Sequence, residues 1–215
     1  MACVPPPKAD LLSFSSQAII DARTKKAVPL SSLWADGPCV LVFLRRLGCA
    51  LCRTTCEEYS DSVDSIKEAG GKIVCLSFEM LGTGSDKDKS FEKGGYWRGP
   101  LYTIDSDVYK ALFGRKGLFS GFYGLADVSR TKLASCTTRE VKGNLVGDGL
   151  ALGGQFVVGR GKGGAGVVVL DHRQKFFGDD CTIEELVEGV KTAVLLEAEV
   201  RGGVNQVKEW AGGSA

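Results

Sequence analysis

The sequence has little histidine, little net charge and no long apolar run. It holds one His in 215 residues and has a formal charge of +1. A single imidazole makes a zinc site or a Cys–His hydrolase hard to build, and a charge near zero argues against nucleic-acid binding by bulk electrostatics. Because no apolar stretch approaches the roughly 20 residues that span a bilayer, no transmembrane segment is expected.

The N-terminus also lacks a basic region followed by an apolar one, so residues 1–8 are not predicted to be a signal peptide. The chain nevertheless has eight cysteines, which are many for this length. Without a secretion signal the protein is expected in a reducing, cytoplasmic compartment. There, such cysteines are reduced, catalytic or metal-bound.

The centre of the chain is an apolar strand that leads into a pair of cysteines. Residues 39–44 are apolar and partly β-branched, and the run is too short for a helix. A turn at Gly48 and a polar, helix-compatible segment at residues 49–69 follow. Cys49 and Cys52 therefore form a C-x-x-C where a strand gives way to a helix, which is typical of a thioredoxin-like redox site.

The position of this pair favours redox chemistry over two structural thiols. The free N–H groups and the positive end of the dipole at a helix N-terminus stabilise a thiolate, which is the reactive form. Residues three apart at a helix start lie on the same side of the turn, so the sulfurs of Cys49 and Cys52 are able to meet in a disulfide. The positive charges of Arg45, Arg46 and Arg53 are candidates for lowering a thiol pKa further.

A third cysteine extends the pattern to C-x2-C-x3-C and suggests a metal site made of Cys49, Cys52 and Cys56. Zinc would require a fourth Cys or His ligand. His172, the sole histidine, lies at the end of a predicted strand, where a structural or solvated role is favoured. Cys56 is therefore interpreted as a packed thiol or a spare resolving thiol, and no metal site is predicted.

The other five cysteines fall into two groups. Cys39 and Cys75 lie in apolar, strand-like runs and are interpreted as small buried hydrophobic residues. Cys3, Cys136 and Cys181 are scattered in polar surroundings and show no ligand spacing.

Glycines at residues 159–164 satisfy G-x-G-x-x-G after a predicted strand. A dinucleotide site requires that motif to open a helix. The next run, Val167–Leu170, is another strand, so the glycines are predicted to form a hairpin loop. No bound cofactor is expected. A protein dithiol such as thioredoxin is the expected electron donor, and NADPH is a candidate ultimate donor.

The remaining patterns predict an α/β fold. The helix after the thiols and the apolar run Lys72–Phe78 predict a parallel β–α–β crossover. Thr182 and Glu185 have the spacing of a capping box, so a final helix is expected to begin there. Further predicted elements are strands at residues 17–21, 100–105, 155–158 and 166–170, helices at 107–113 and 182–201, a helical face at 118–126 and an irregular loop at 142–150.

This order of elements is that of the thioredoxin fold, a central mixed sheet flanked by helices, with N-terminal and middle insertions. The thioredoxin-like domain is expected over residues 15–201. Residues 1–14 are predicted to be a flexible lead-in, and residues 202–215 a C-terminal extension.

Three stretches resemble the peroxiredoxin-like 2 family, which belongs to the AhpC/TSA branch of thioredoxin-fold proteins. Residues 43–53 are similar to its motif FLRR-x-GC-x-x-CR. Residues 144–154, with Asn-Leu, Gly-Asp and Gly-Gly, resemble a second block, and Gln174–Asp179 resembles a third. The resemblance covers roughly residues 15–195, and its first block is quite specific.

The resemblance implies a cytosolic protein with a redox-active C-x-x-C. For some family members it implies reduction of the endoperoxide of prostaglandin H2 or prostamide H2 to the F-type product. Carried onto this chain, the catalytic pair is Cys49 and Cys52. Thioredoxin logic makes Cys49 the attacking thiol, whereas peroxiredoxin logic makes it Cys52. The chain lacks the peroxiredoxin pattern Pro-x-x-x-Thr-x-x-Cys, and Gly153 and Gly154 stand where a thioredoxin has its cis-proline.

The favoured hypothesis is a thiol oxidoreductase that reduces the O–O bond of a lipid peroxide or endoperoxide, with a thioredoxin-like reductant. One alternative is a non-catalytic thioredoxin-fold protein that senses redox state. The other is the metal-binding module that uses Cys49, Cys52 and Cys56. The sequence predicts no oligomeric state.

Overall fold

The computed structural model describes residues 9–79, 90–115, 134–144 and 147–211, with backbone only for 90, 92 and 201–211. In chain order the strands are β1 (Ala18–Asp21), β2 (Ala27–Pro29), β3 (Cys39–Phe43), β4 (Lys72–Ser77), β5 (Leu101–Thr103), β6 (Gly154–Arg160) and β7 (Gly166–Arg173). The helices are α1 (Ala50–Asp61), α2 (Val63–Glu68), α3 (Ser90–Gly94), α4 (Ser106–Phe113) and α5 (Ile183–Ala211), with 3-10 turns at Leu11–Phe14, Leu30–Trp34 and Lys162–Gly164. Residues 134–138 are also helical.

The strands form one mixed sheet in the order β2-β1-β5-β4-β3-β6-β7. Strand β3 pairs in parallel with β4, from Cys39 opposite Lys72 to Phe43 opposite Leu76. On its other side β3 pairs antiparallel with β6. The predicted β–α–β crossover and the mixed thioredoxin-like sheet are therefore confirmed.

The central strand β3 is buried along its whole length, because apolar residues cover both faces of the sheet. Alternate side chains of a strand point to opposite faces. Cys39, Leu41 and Phe43 thus join a core cluster that includes aromatic residues of α4. Val40 and Val42 join the opposite cluster with residues of α1 and α5. A continuous apolar run is what a strand buried on both faces requires.

The hairpin and the last helix follow the sequence prediction. Strands β6 and β7 pair antiparallel across the glycine-rich loop, so that loop opens no helix. At the start of α5 the Thr182 N–H donates to the Glu185 carboxylate at 2.8 Å, and the Glu185 N–H donates to the Thr182 hydroxyl at 3.2 Å. These two reciprocal bonds form the predicted capping box.

Several boundaries differ from the prediction. The helix expected over residues 49–69 is divided at Ser62, which has φ −106° and ψ 10° and whose hydroxyl donates to the Glu58 carbonyl at 3.0 Å. Such back-bonding by serine competes with the regular helix pattern. Helix α5 continues to Ala211, and Leu11 in the predicted lead-in is fully buried. The predicted helical face at residues 118–126 lies outside the described residues.

The cysteines away from the C-x-x-C are also placed. Cys39 and Cys75 are fully buried, as expected for small hydrophobic residues in strands. Cys136 and Cys181 have polar neighbours in sequence, yet both side chains are buried, at 8% and 6% exposure. Cys3 lies outside the described residues.

No helix within the described part of the chain is long and apolar enough to cross a bilayer.

Candidate active site

The two thiols lie where the parallel strands β3 and β4 end at the same edge of the sheet. The chain leaves β3 with the Leu44 N–H donating to the Leu76 carbonyl, and then turns so that the Cys49 N–H donates to the Arg46 carbonyl at 3.2 Å. Cys49 is the N-cap of α1, with extended φ −79° and ψ 126°. Cys52 lies in the first turn of that helix, so both thiols lie at its N-terminal end.

A buried carboxylate fixes the turn that carries the thiols. Glu79 follows β4 and is 6% exposed. Its Oε2 accepts the Leu47 N–H at 2.8 Å, and its Oε1 accepts the Asp148 N–H at 3.3 Å. A Cβ at Gly147, where φ is +101°, would lie 1.9 Å from Glu79 Oε1, so glycine is required there. One side chain thus ties the thiol turn to the 147–150 loop.

Arg45 connects this loop directly to a sulfur. Its Nη2 donates to Cys49 Sγ at 2.7 Å, and its Nη1 donates to the Gly149 carbonyl at 2.9 Å. The guanidinium lies over the ring of Phe177, 4.1 Å from the centroid. Because Arg45 is only 6% exposed, its charge acts on Cys49 with little screening by water.

The pKa values of the two thiols are shifted in opposite directions. The pKa of Cys49 is well below that of an ordinary thiol, chiefly because the Cys52 thiol donates a hydrogen bond to its sulfur. The Arg45 and Arg46 charges and the Cys52 N–H lower it further, against the opposing effect of burial. The pKa of Cys52 is well above the ordinary value, because its proton is held by Cys49 and its sulfur is buried.

The three candidate arginines therefore differ in their surroundings. Arg45 contacts the Cys49 sulfur, and the charge of Arg46, which is 8% exposed, also lowers the Cys49 pKa. The guanidinium of Arg53 donates to the carbonyls of Leu47 and Lys142 at 2.8 and 2.6 Å, and so connects the thiol turn to the segment at Lys142.

Cys56 and His172 are the other residues that the sequence analysis considered for a metal site. Cys56 is fully buried in the core between α1 and the sheet. His172 Nε2 lies 3.0 Å from the Asp179 carbonyl oxygen, at the far end of the hairpin strand β7. Among the residues described, no three His, Cys, Asp or Glu side chains are grouped to hold a metal ion. The metal-binding alternative therefore gains no support.

A polar network that the sequence analysis missed lies behind Cys52. Asp180 Oδ1 accepts the side-chain amides of Gln155 and Gln174 at 2.9 and 2.7 Å, and Oδ2 accepts the Thr55 hydroxyl at 2.8 Å. The Asp180 charge contributes to the raised pKa of Cys52. The network joins α1, β6 and the segment before α5, so it fixes the helix that carries both thiols.

Only part of this site had a signal in the sequence. Because carboxyl ends of parallel strands meet at one edge of a sheet, Glu79 at the end of β4 was predictable as a neighbour of the thiol turn. The Gly149 carbonyl and Asp180 come from loops whose course no periodicity predicts.

Comparison with known proteins identifies the family. Residues 59–175 match the family model described as AhpC/TSA antioxidant enzyme, a span that begins after the two thiols. The prostamide/prostaglandin F synthase of Bos taurus is 32% identical over 184 residues, which cover 84% of this chain and 88% of the relative. Peroxiredoxin-like 2A of Homo sapiens is 30% identical, covering 80% of this chain and 72% of that protein.

Solved structures agree on the fold. Peroxidoxin BcpB from Mycobacterium tuberculosis superposes with a TM-score of 0.52 at 16% identity, covering 81% of this chain and 91% of that one. Peroxiredoxin Q from Xanthomonas campestris gives a TM-score of 0.51 at 16% identity, covering 93% and 99%. Taken with the family model and the relatives, the chain belongs to the AhpC/TSA antioxidant enzyme family, in its peroxiredoxin-like 2 branch, and is a thiol oxidoreductase.

Proposed function

We propose that the protein reduces the O–O bond of a peroxide or endoperoxide, with Cys49 as the attacking thiolate and Cys52 as the resolving thiol. The observation that carries this proposal is the donation from Arg45 Nη2 to Cys49 Sγ at 2.7 Å. The opposite pKa directions of the two thiols agree with it. A thiolate is the nucleophilic form of cysteine, and a protonated partner is suited to resolve its product.

The first step converts Cys49 to a sulfenic acid. The thiolate attacks one oxygen of a hydroperoxide R–O–OH, so an S–O bond forms and the O–O bond breaks. Sulfur is oxidised by two electrons and the peroxide is reduced to an alkoxide, which takes up a proton and leaves as the alcohol. The Arg45 guanidinium, held by Gly149 and Phe177, keeps the sulfur oriented at the N-terminus of α1.

The second step closes the disulfide. The Cys52 sulfur attacks the Cys49 sulfur, so an S–S bond forms and the S–O bond breaks. The hydroxide that leaves combines with the Cys52 proton to give water. An external dithiol then reduces the disulfide by exchange. We propose a thioredoxin-like cytoplasmic protein for this role, with NADPH as the ultimate source of electrons and no cofactor bound to this chain.

The proposed substrate class is a lipid hydroperoxide or endoperoxide. Supporting it are the relatives named prostamide/prostaglandin F synthase, which are about as long as this chain. With a cyclic endoperoxide, one oxygen becomes bonded to Cys49 and the other becomes an alkoxide on the same molecule. Attack by Cys52 on the Cys49 sulfur then releases the substrate as a diol once both oxygens are protonated.

Single-turnover oxidation tests the assignment of the two thiols. Reduced protein is mixed with cumene hydroperoxide, quenched with dimedone, and mapped by mass spectrometry. We expect a Cys49–Cys52 disulfide in the wild type, a dimedone adduct on Cys49 in Cys52→Ser, and no reaction in Cys49→Ser. An adduct on Cys52 in Cys49→Ser would reverse the assignment.

The same oxidation assay, with a reducing system added, distinguishes an enzyme from a redox sensor. With thioredoxin, thioredoxin reductase and NADPH present, the enzyme consumes hydroperoxide or endoperoxide through many turnovers. A protein that forms the disulfide once, and is not re-reduced by a dithiol at a useful rate, would be a sensor instead.

A further inference from the structure

Arg46 in the thiol turn is a buried cation whose side chain makes no hydrogen bond or ion pair with the described part of the chain. The residue is 8% exposed, and its Nε is fully covered without a partner. Buried charges are normally paired and hydrogen-bonded, because an unpaired one destabilises the fold. An arginine in this position therefore needs an explanation that an apolar residue of similar size would not.

The neighbouring Arg45 differs from Arg46 in this respect. Both terminal nitrogens of Arg45 are used, since Nη2 donates to Cys49 Sγ at 2.7 Å and Nη1 donates to the Gly149 carbonyl at 2.9 Å. The terminal nitrogens of Arg46 donate to no described atom, and unlike its Nε they keep contact with the surface. Of these two arginines, only Arg46 has donors that are left for a ligand.

The acids around Arg46 have other partners. Glu79, whose charge interacts with that of Arg46, accepts the Leu47 and Asp148 N–H groups with its two oxygens. The Asp148 carboxylate pairs with Arg115 at 3.1 Å. Because neither carboxylate forms an ion pair with Arg46, its guanidinium is available to an anion from solution.

Arg46 lies close to Cys49. The Cys49 N–H donates to the Arg46 carbonyl at 3.2 Å, which closes a turn whose end Cα atoms lie within about 7 Å of each other. The Arg46 side chain packs on Gly147, where a Cβ would lie 2.8 Å from its Cγ. Arg45, which contacts the Cys49 sulfur, reaches Gly149 of the same loop. A group bound to Arg46 therefore lies within the length of a small molecule of the attacking sulfur.

A carboxylate is the anion that fits this donor. The terminal nitrogens of a guanidinium bind the two oxygens of one carboxylate in parallel, and such bonds between charged groups are stronger than bonds to neutral acceptors. A neutral hydroperoxide offers no charge to compensate the guanidinium. A carboxylate elsewhere on the same molecule does.

We propose that Arg46 binds a carboxylate of the substrate, so that the protein prefers peroxides that carry an acid group over neutral ones. Arg45 orients the Cys49 thiolate, and Arg46 holds the acid group while that thiolate attacks the O–O bond. The bonds made and broken are those given above, and the carboxylate itself is unchanged. This role rests on the proposed peroxide reduction and names its substrate class, an acidic hydroperoxide or endoperoxide.

Two hydroperoxides that differ in one acid group test this role. Cumene hydroperoxide is neutral, and its para-carboxy derivative carries a carboxylate across the ring from the O–O group. Single-turnover oxidation of Cys49 by each compound is measured in the wild type and in Arg46→Met. We expect the wild type to react faster with the acid, and the ratio of the acid rate to the neutral rate to fall about tenfold or more in Arg46→Met. A change in the thiolate fraction of Cys49 alters both rates equally and cancels in the ratio.

Two further variants are the controls. Arg115→Met removes an exposed arginine that pairs with Asp148, and should keep the ratio of the wild type. Arg46→Lys retains the charge and should keep part of the preference for the acid. A wild type without that preference, or an Arg46→Met protein with an unchanged ratio, would overturn this inference. An equal fall in Arg115→Met would also overturn it, because the preference would then come from the overall charge.

A measurement without peroxide separates this inference from the proposed function. The compound para-isopropylbenzoate has the acid group and no O–O bond. It should slow the alkylation of Cys49 by iodoacetamide in the wild type and not in Arg46→Met. The melting temperature of that variant should equal or exceed that of the wild type, because an unpaired buried charge is removed. Absence of protection in the wild type would overturn the carboxylate site. Protection in a wild type that neither hydroperoxide oxidises would overturn the proposed function alone.

Discussion

Two pairs of buried cysteines have different surroundings. Cys39 and Cys75 lie inside adjacent strands, whereas Cys49 and Cys52 lie where a strand gives way to a helix. Burial raises the pKa of Cys39 to about 12. Cys49 is also buried, yet its pKa is well below the ordinary value because Cys52 and Arg45 donate to its sulfur.

The two pairs differ in the hydrogen-bond donors around their sulfurs and not in how deeply they are buried. Inside the sheet, backbone N–H groups are used in the ladder, so a thiolate at Cys39 would have no partner. At the helix start four N–H groups are free of intrahelical bonds, and a cation is within reach. The pKa of a buried thiol in this protein therefore depends on the hydrogen-bond donors around its sulfur.

Removal of the Cys49 sulfur gives the largest expected effect. Cys49→Ser should lower the rate of peroxide reduction by about 10³-fold or more, since the nucleophile is lost. Cys39→Ala should leave the rate per folded molecule unchanged, because that thiol only packs. Peroxide consumption coupled to thioredoxin measures both variants, and a large loss in Cys39→Ala would break the distinction between the two pairs.

The next largest effect is expected for Arg45, the cation that contacts Cys49. Arg45→Leu removes the donor at 2.7 Å and leaves the Cys49 thiolate less stabilised. The pKa of Cys49 should rise, and its alkylation by iodoacetamide at pH 7 should slow by about tenfold or more. The control Arg115→Leu removes an exposed arginine that pairs with Asp148 and should leave the alkylation rate unchanged. Equal rates for both variants would make the Arg45 contact irrelevant to acidity.

A moderate effect is expected for the network behind Cys52. Asp180→Asn replaces one of the two acceptor oxygens with an NH2 group. That group faces either the Gln155 and Gln174 amides or the Thr55 hydroxyl, so at least one hydrogen bond of the network is lost. The free energy of unfolding in urea should fall by about 1–3 kcal/mol. The control Asp171→Asn breaks the ion pair between the exposed Asp171 and Arg173. It should lower the free energy of unfolding by at most about 1 kcal/mol. An Asp180→Asn protein as stable as the wild type would show that the network does not fix α1.

The smallest effect is expected for Glu79, whose carboxylate connects the thiol turn to the 147–150 loop. Burial raises the pKa of Glu79 above 4.5, so just above that pH the folded state binds more protons than the unfolded chain. Stability from this group is therefore lost as the pH rises from 4.5 through the folded pKa. Glu79→Gln should remove this loss while its amide oxygen still accepts the Leu47 N–H. Unfolding free energies of variant and wild type at pH 4.5 and 7 measure it.

Glu184→Gln, in the first turn of α5, is the control for that pH comparison. Its unfolding free energy should change with pH as that of the wild type does. A Glu79→Gln protein with the same pH dependence as the wild type would show that Glu79 is not titrating in this range.

The fold was largely predictable because its strands carry long local patterns. The run at β3 is apolar at every position, and the capping box marks the start of α5 within the same few residues that make its bonds. The break at Ser62 and the inward-facing Cys136 and Cys181 were not predictable, because they depend on tertiary contacts. Cys136, for example, lies 3.0 Å from the Thr54 hydroxyl of a helix 82 positions away in sequence.

The candidate site was predictable in its thiols and in the charge around them. The C-x-x-C after a buried strand was a local signal, and so was the neighbouring pair Arg45 and Arg46. The order of acidity of the two thiols was left open by the sequence, since it depends on the direction of one guanidinium.

The most direct test of the central claim is the pH dependence of alkylation in the wild-type protein. Reduced protein is treated briefly with iodoacetamide between pH 4 and 10, and the modified cysteine is identified by mass spectrometry. We expect Cys49 to be modified first, with a midpoint well below pH 9, while Cys52 and Cys39 stay unmodified at neutral pH. Modification of Cys52 before Cys49, or a Cys49 midpoint near that of an ordinary thiol, would contradict it.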